Sequence, residues 1–137
     1  AKYGIRPPFG GNEGGLSVEI WGSGKPLREF LWSEELADAC VFIMENVNFS
    51  DVAGQNQNEI RNTHINIGTG KEISIKDLAF LIKEKIGFKG ELVFNMEKLD
   101  GTLRKLTDVT KLHSLGWHHQ IEIEEGIEKM FRWYTEN

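Results

Sequence analysis

The chain has 137 residues, a length that suits one domain of ordinary size and buries about two-thirds of the unfolded surface without a metal or disulfide staple. Hydrophobic residues at 39% and charged residues at 27% exclude a mainly disordered chain, a collagen-like repeat and a disulfide scaffold. Sixteen basic residues against 21 acidic ones, a net charge of -5, lack the positive field that duplex binding needs, although a local basic site for a small phosphate ligand remains open.

The first fifteen residues hold five glycines and two prolines and read as a flexible segment, so the compact fold is expected from residue 16 to residue 137. Ser17 to Trp21 reads as a strand and Gly22 to Pro26 as a turn. Arg28 to Trp32 then alternates like a second short strand. From Ser33 to Val47 the period becomes helical, with Leu36, Ala39, Cys40, Ile43, Met44 and Val47 on one stripe. Glu34, Glu35, Asp38 and Glu45 lie mostly opposite, and Ser33 is placed to cap the helix. Asn48 to Thr63 is polar and reads as a loop.

His64 to Gly68 reads as a strand running into the turn Gly68-Thr69-Gly70. Ser74 is expected to cap a helix carrying Ile75, Leu78, Ala79, Ile82 and Ile86, with Asp77 as capping-box partner and Gly87 or Gly90 as the stop. Glu91 to Asn95 is the next strand. A short helix over Val109 to Leu115 ends at Gly116, and a last helix over Glu122 to Tyr134 turns Ile123, Gly126, Ile127, Met130, Phe131 and Tyr134 inward. The sum is an α/β layered domain of a few short strands and about four helices, too few for a complete Rossmann sheet.

The longest apolar run is only a few residues, no basic stretch leads into an apolar region at the start, and Cys40 is the single cysteine. These features predict a cytoplasmic chain with no membrane partner and no internal disulfide. Gly68-Thr69-Gly70-Lys71 lacks the spacing of a phosphate loop, since residue 65 is isoleucine and Glu72 follows the lysine. No G-x-G-x-x-G follows a strand, so the chain supplies no dinucleotide site by that device. The four histidines have no zinc-ligand spacing, and no metal site is predicted. Cys40, on the apolar stripe, reads as a buried small hydrophobe. No nucleophile–base pair is visible, so no catalytic residue is assigned.

Two segments carry candidate binding chemistry. Trp21-Gly22-Ser23-Gly24-Lys25-Pro26-Leu27-Arg28-Glu29-Phe30 sets an aromatic ring and a guanidinium on either side of a tight turn. A ring can stack a base, and an arginine fork can bind a diphosphate. The plainer possibility is a core tryptophan and an arginine paired with a surface carboxylate. Leu99-Asp100-Gly101-Thr102-Leu103-Arg104-Lys105-Leu106-Thr107-Asp108 is a basic loop before a short helix, where the plainer possibility is a solvated turn with Asp108 as cap.

At W-G-S-G-K-P-L-R-E-F-L, H-I-N-I-G-T-G-K-E-I-S-I-K-D-L-A, D-G-T-L-R-K-L-T-D-V-T-K-L and L-G-W, the chain resembles the carboxy-terminal substrate domain of the GDP-L-fucose synthases. These belong to the extended short-chain dehydrogenase/reductase family, and the resemblance runs from about Val18 to Tyr134. It implies that Trp21, Arg28, Asp100 and Lys105 contact a GDP-sugar. Arg28 would neutralise the diphosphate and Lys105 add charge near the nucleotide. Trp21 would form an apolar wall, and Asp100 would accept a hydrogen bond from a sugar hydroxyl or guanine.

The resemblance further implies a parent activity. GDP-4-keto-6-deoxy-mannose is epimerised at two carbons and reduced with NADPH to GDP-L-fucose. Leu99 and Leu103 stand where the family commonly has prolines, and Ser33-Glu34-Glu35 replaces its frequent valine-aspartate-aspartate. The family's amino-terminal Rossmann domain, with its NADP site and its Ser and Tyr-x-x-x-Lys catalytic groups, has no counterpart here. Neither Tyr3 nor Tyr134 has a lysine four positions on. The expectation is a substrate-binding portion, inactive alone, that binds no NADP itself and whose partner is that missing domain. The alternatives are a non-catalytic nucleotide-sugar or protein-binding module, and the substrate domain of another sugar-nucleotide epimerase or dehydratase.

Overall fold

A computed structural model describes residues 15–53 and 61–137. The glycine- and proline-rich opening expected to be flexible lies outside the described residues up to residue 14, as does part of the polar loop, residues 54–60. The elements run β1 (Ser17–Trp21), β2 (Leu27–Arg28), α1 (Ser33–Asn46), α2 (Phe49–Val52), β3 (Ile73–Ser74), α3 (Ile75–Lys85), β4 (Glu91–Asn95), α4 (Thr110–Ser114) and α5 (Ile123–Glu136). The mixed α/β class holds. Among the described residues there are only two two-stranded sheets, β1 parallel to β4 and β2 antiparallel to β3, and no closed sheet.

The contacts divide the chain into two compact units. One holds the described residues up to Arg28, Ile73–Lys105 and Ile127–Asn137; the other holds Glu29–Glu72 and Leu106–Gly126. In the first unit, β1 and β4 pair in register from Ser17 opposite Glu91 to Trp21 opposite Asn95. Crossing from one parallel strand to the next takes a long connection. The stretch between them contains α3, whose start matches its sequence signal: Ser74 Oγ accepts the Asp77 amide at 3.0 Å. Gly87 follows the helix with φ +69, the left-handed stop that glycine makes cheaply.

In the second unit, Ala39, Leu112 and Trp117 form the buried core, with Leu31, Phe42, Ile43, Ile65 and Ile67 packed against them. This corrects the stripe expected on α1. The inward face is Glu35, Ala39, Phe42 and Ile43, while Leu36 and Cys40 are exposed and Met44 is 84% exposed. Glu35 goes inward because its Oε1 accepts the amides of Gln120 at 2.5 Å and Ile121 at 3.0 Å. One turn on, Trp117 Nε1 donates to Asp38 at 2.8 Å. The acidic side of α1 is therefore the side that gathers residues 117–121. Ser33 does not cap the helix, since it is already helical and Trp32 occupies the cap position with no side-chain bond.

Three further expectations change. The second strand ends at Arg28 rather than reaching Trp32, since its partner β3 is itself only Ile73–Ser74 and pairs with Leu27 and Arg28 alone. His64 to Gly68 makes no ladder; Ile65 and Ile67 instead pack on the core. The polar loop contains the one-turn helix α2, held by a reciprocal capping box between Asn48 and Asp51. On α5 the outer half of the expected inward stripe is exposed, most of all Met130 and Tyr134.

Candidate functional site

All four residues singled out for binding fall within the first unit. The chain leaves β1 at Trp21 and turns through Gly22, Ser23 and Gly24. Asp100 fastens that turn from 77 residues away: Oδ1 accepts the Ser23 amide at 2.7 Å and Oδ2 accepts the Ser23 hydroxyl at 2.5 Å. The fit needs glycine at position 22, where φ is +84 and a Cβ would stand 2.3 Å from Asp100 Oδ1. The hydroxyl and amide of Ser23, helped by the nearby Lys25 charge, hold the Asp100 carboxyl below its ordinary range.

The second strand binds the same loop one step further along. Leu27 donates its amide to Leu103 O at 2.8 Å. Arg28 Nη1 donates to Leu27 O at 2.6 Å and Thr102 O at 2.8 Å. Trp21, Arg28 and Asp100 are thereby drawn to one locus, formed by the β1–β2 turn and residues 100–103. Lys105 ends this loop, exposed and without a bond to the other three.

The surroundings of Trp21 and Arg28 differ from the plainer possibilities raised for them. Trp21 is 70% exposed, so it is not a core residue, and the Lys98 ammonium lies 5.2 Å from its ring centroid, within cation–π range. Among the described residues no carboxylate pairs with Arg28. Its two partners are neutral carbonyls, which orient the guanidinium without neutralising its charge. Asp100, by contrast, already serves the protein with both oxygens. Asp108 accepts the Thr110 amide at 3.0 Å, but Val109 rather than Asp108 occupies the cap position of the short helix.

Glu29 received no functional role from the sequence, yet it has the richest set of partners. In the second unit, Oε1 accepts from the amides of Thr69 and Gly70, each at 2.6 Å, and from Thr69 Oγ1 at 3.2 Å, while Oε2 accepts from the Thr107 amide at 3.0 Å. Partial burial acts to raise its pKa, but the bonds from Thr107, Gly70 and Thr69 outweigh it and hold the carboxyl below its usual value. The glycine turn that suggested a phosphate loop thus has its anion supplied internally. The readable signal was an acid beside Arg28 and a Gly-Thr-Gly turn with free amides, but nothing in their spacing joined them.

The described histidines make local contacts. His113 and His118 stack with centroids 4.2 Å apart, and half-buried His119 sits 3.5 Å from Glu122, which also pairs with Lys71. Among the described residues no group of three or more His, Cys, Asp or Glu side chains is placed to hold a metal. A shallow depression lined by Phe80, Lys83, Glu84, Gly87, Phe88 and Lys89 includes none of the four candidate residues. No helix among the described residues is long and apolar enough to cross a membrane.

The model of the NAD-dependent epimerase/dehydratase family matches residues 10–68. Over those residues the chain carries that family's sequence pattern. The chain is 48% identical over 120 residues to the putative GDP-L-fucose synthase 2 of Arabidopsis thaliana, covering 88% of this chain and 33% of that protein. Among solved structures, it is 50% identical to a GDP-6-OMe-4-keto-L-xylo-heptose reductase from C. jejuni, with TM-score 0.80, covering 88% of this chain and 34% of the other. It is also 50% identical to the GDP-mannoheptose C4 reductase of Campylobacter jejuni solved with NADP bound, at TM-score 0.74, covering 87% and 35%. The chain spans about a third of the length of the curated relatives it matches.

Proposed function

We propose that this chain is the substrate-binding portion of an NADP-dependent GDP-sugar epimerase/reductase of the GDP-L-fucose synthase type. The observation that carries the reading is the Arg28 guanidinium, oriented by two carbonyls, unpaired with any described carboxylate, and held beside the loop that presents Lys105. A diphosphate supplies the missing negative charge, and an arginine fork matches its geometry. Trp21 offers an exposed ring for a base or sugar face. Asp100 keeps a lone pair on each oxygen for a sugar hydroxyl while shaping the turn.

In the parent reaction this portion binds and orients GDP-4-keto-6-deoxy-mannose and releases GDP-L-fucose. Epimerisation and hydride transfer from NADPH belong to the amino-terminal Rossmann domain that the chain would partner in the cytoplasm. The described residues do not fit the dinucleotide themselves. The Thr69 and Gly70 amides, the one glycine-turn pair suited to a phosphate, already bond Glu29. Alone, the chain is catalytically inert.

A second reading concerns the sugar. Identity to the two GDP-heptose reductases, 50%, matches that to the Arabidopsis relative, 48%, so a GDP-heptose is the competing substrate.

The test is an amide, indole and guanidinium NMR titration with GDP, using UDP and dTDP as controls. The expected result is shifts at Trp21, Arg28 and Lys105 that are largest with GDP, weakened about tenfold or more by Arg28→Ala, the range for a lost charge-assisted bond. Arg28→Lys recovers only part, since an ammonium lacks the fork. Equal response to all three nucleotides removes the guanine assignment. No response at millimolar ligand overturns binding by this chain.

A further inference from the structure

We propose that Glu29 is a positioning residue for Arg28, acting through the backbone that follows it. Its functional consequence rests on the GDP-binding reading above, whereas its structural basis is independent of it. The carboxylate lies on the residue directly after Arg28, and one of its donors, Thr107, lies two residues after Lys105. The other donors, the Thr69 and Gly70 amides and the Thr69 hydroxyl, belong to the glycine turn.

Three chain segments, separated in sequence by 40 and 78 positions, therefore end on one side chain. A carboxylate that accepts at both oxygens has no free rotation left. The backbone next to Arg28 moves only if bonds to the glycine turn or to Thr107 break. The turn closes tightly around the group, since a Cβ at Gly68 would lie 2.5 Å from Oε1.

The chemistry requires an anion with two acceptor oxygens. Glutamine has the same size but one acceptor, so its amide nitrogen must face either the Thr107 N–H or the Thr69 and Gly70 N–H groups, donor against donor. Charge-assisted bonds to backbone N–H groups are also the stronger kind. Because Glu29 already fills the turn, these amides do not receive a ligand phosphate. Their role is to hold Glu29, and Glu29 in turn fixes the backbone next to Arg28. Residues in one such network couple, and the coupling shows as non-additivity.

The experiment is a double-mutant cycle between Glu29→Gln and Arg28→Ala, read by 15N NMR of the chain with and without GDP. In Glu29→Gln, the Arg28 Nε–H signal is expected to shift and lose order, and GDP affinity to fall about tenfold, within the range of coupling for contacting networks. In the Arg28→Ala background the same substitution is expected to change affinity less than about twofold. Glu29→Asp, which keeps the charge and withdraws it by one methylene, is expected to lie between and serves if the glutamine variant does not fold. Disturbance limited to the Thr69, Gly70 and Thr107 amides with an unchanged Arg28 signal overturns the proposal. So does an undiminished effect in the Arg28→Ala background. If the unaltered chain shows no GDP response, the functional reading fails on its own, and the Arg28 signal still decides the positioning role.

Discussion

Gly70→Ala tests how tightly the glycine turn is built, and Gly87→Ala supplies its control. The two glycines have nearly the same backbone, φ +71 and φ +69, so an alanine at either meets the same left-handed strain, about 1–2 kcal/mol. Their surroundings differ. A Cβ at Gly87 finds nothing within 4 Å, whereas a Cβ at Gly70 would stand 2.9 Å from Cγ2 of buried Val109. Relieving that contact requires displacement of a packed side chain, and overpacking of this kind adds about 1–3 kcal/mol. Gly87→Ala should therefore cost about 1 kcal/mol and Gly70→Ala about 3 kcal/mol. At roughly 3–5 °C per kcal/mol for a chain of this size, the expected falls in Tm are about 4 and about 12 °C. Thermal unfolding followed by tryptophan fluorescence gives both numbers. Val109→Ala placed in the Gly70→Ala chain should recover part of the difference, although alone it destabilises by losing two methyls. Equal losses for the two glycine variants would refute the reasoning, because strain alone would then account for both.

Acidification should weaken the fold through Glu29. Its folded pKa is lowered, so its contribution is complete above the unfolded value near 4.5 and is lost as pH falls through the folded value. Tm measured from pH 7 down to pH 3 should fall below about pH 4.5 with a limb that Glu29→Gln flattens; an unchanged limb would assign the acid loss elsewhere. Leu112→Ala, at a fully buried site against Ala39 and Trp117, should cost about 3 kcal/mol in urea unfolding, and a loss under 1 kcal/mol would mean that this core is not the unit's anchor. Ser23→Ala should raise the titration of Asp100 toward its ordinary value but not all the way, since the Ser23 amide and Lys25 remain; carboxyl NMR reads the shift, and no change would disprove the turn's geometry.

The elements legible in sequence were those whose cause is local. Ser17 to Trp21 and Glu91 to Asn95 form strands with the expected bounds, each framed by glycine or polar turns. Ser74 caps α3 because cap and helix lie within three residues of each other. Illegible were the features set by partners far along the chain. Periodicity puts Glu35 on the polar side of α1, yet the amides of Gln120 and Ile121, 85 and 86 positions away, draw it inward. His64 to Gly68 has the composition of a strand, but a strand requires a neighbour, and Ile65 and Ile67 find a core instead. The residues proposed for binding differ from one another in their surroundings: Arg28 bonds only neutral carbonyls, while Asp100 fastens Ser23.

A common cause lies behind these departures. With only two two-stranded sheets among the described residues, the loops find few ladder partners for their amides. Buried or half-buried N–H groups left without acceptors would each cost free energy comparable to a lost hydrogen bond. Three carboxylates supply those acceptors over long sequence distances: Glu29 to the 69–70 turn and Thr107, Glu35 to residues 120–121, and Asp100 to Ser23. In each unit, acids that composition alone would assign to solvent do work that sheet hydrogen bonds do in larger α/β folds. The acidic excess of the chain is therefore partly accounted for by its own backbone, and the positive charge that the proposed binding would use is local, carried by Arg28 and Lys105.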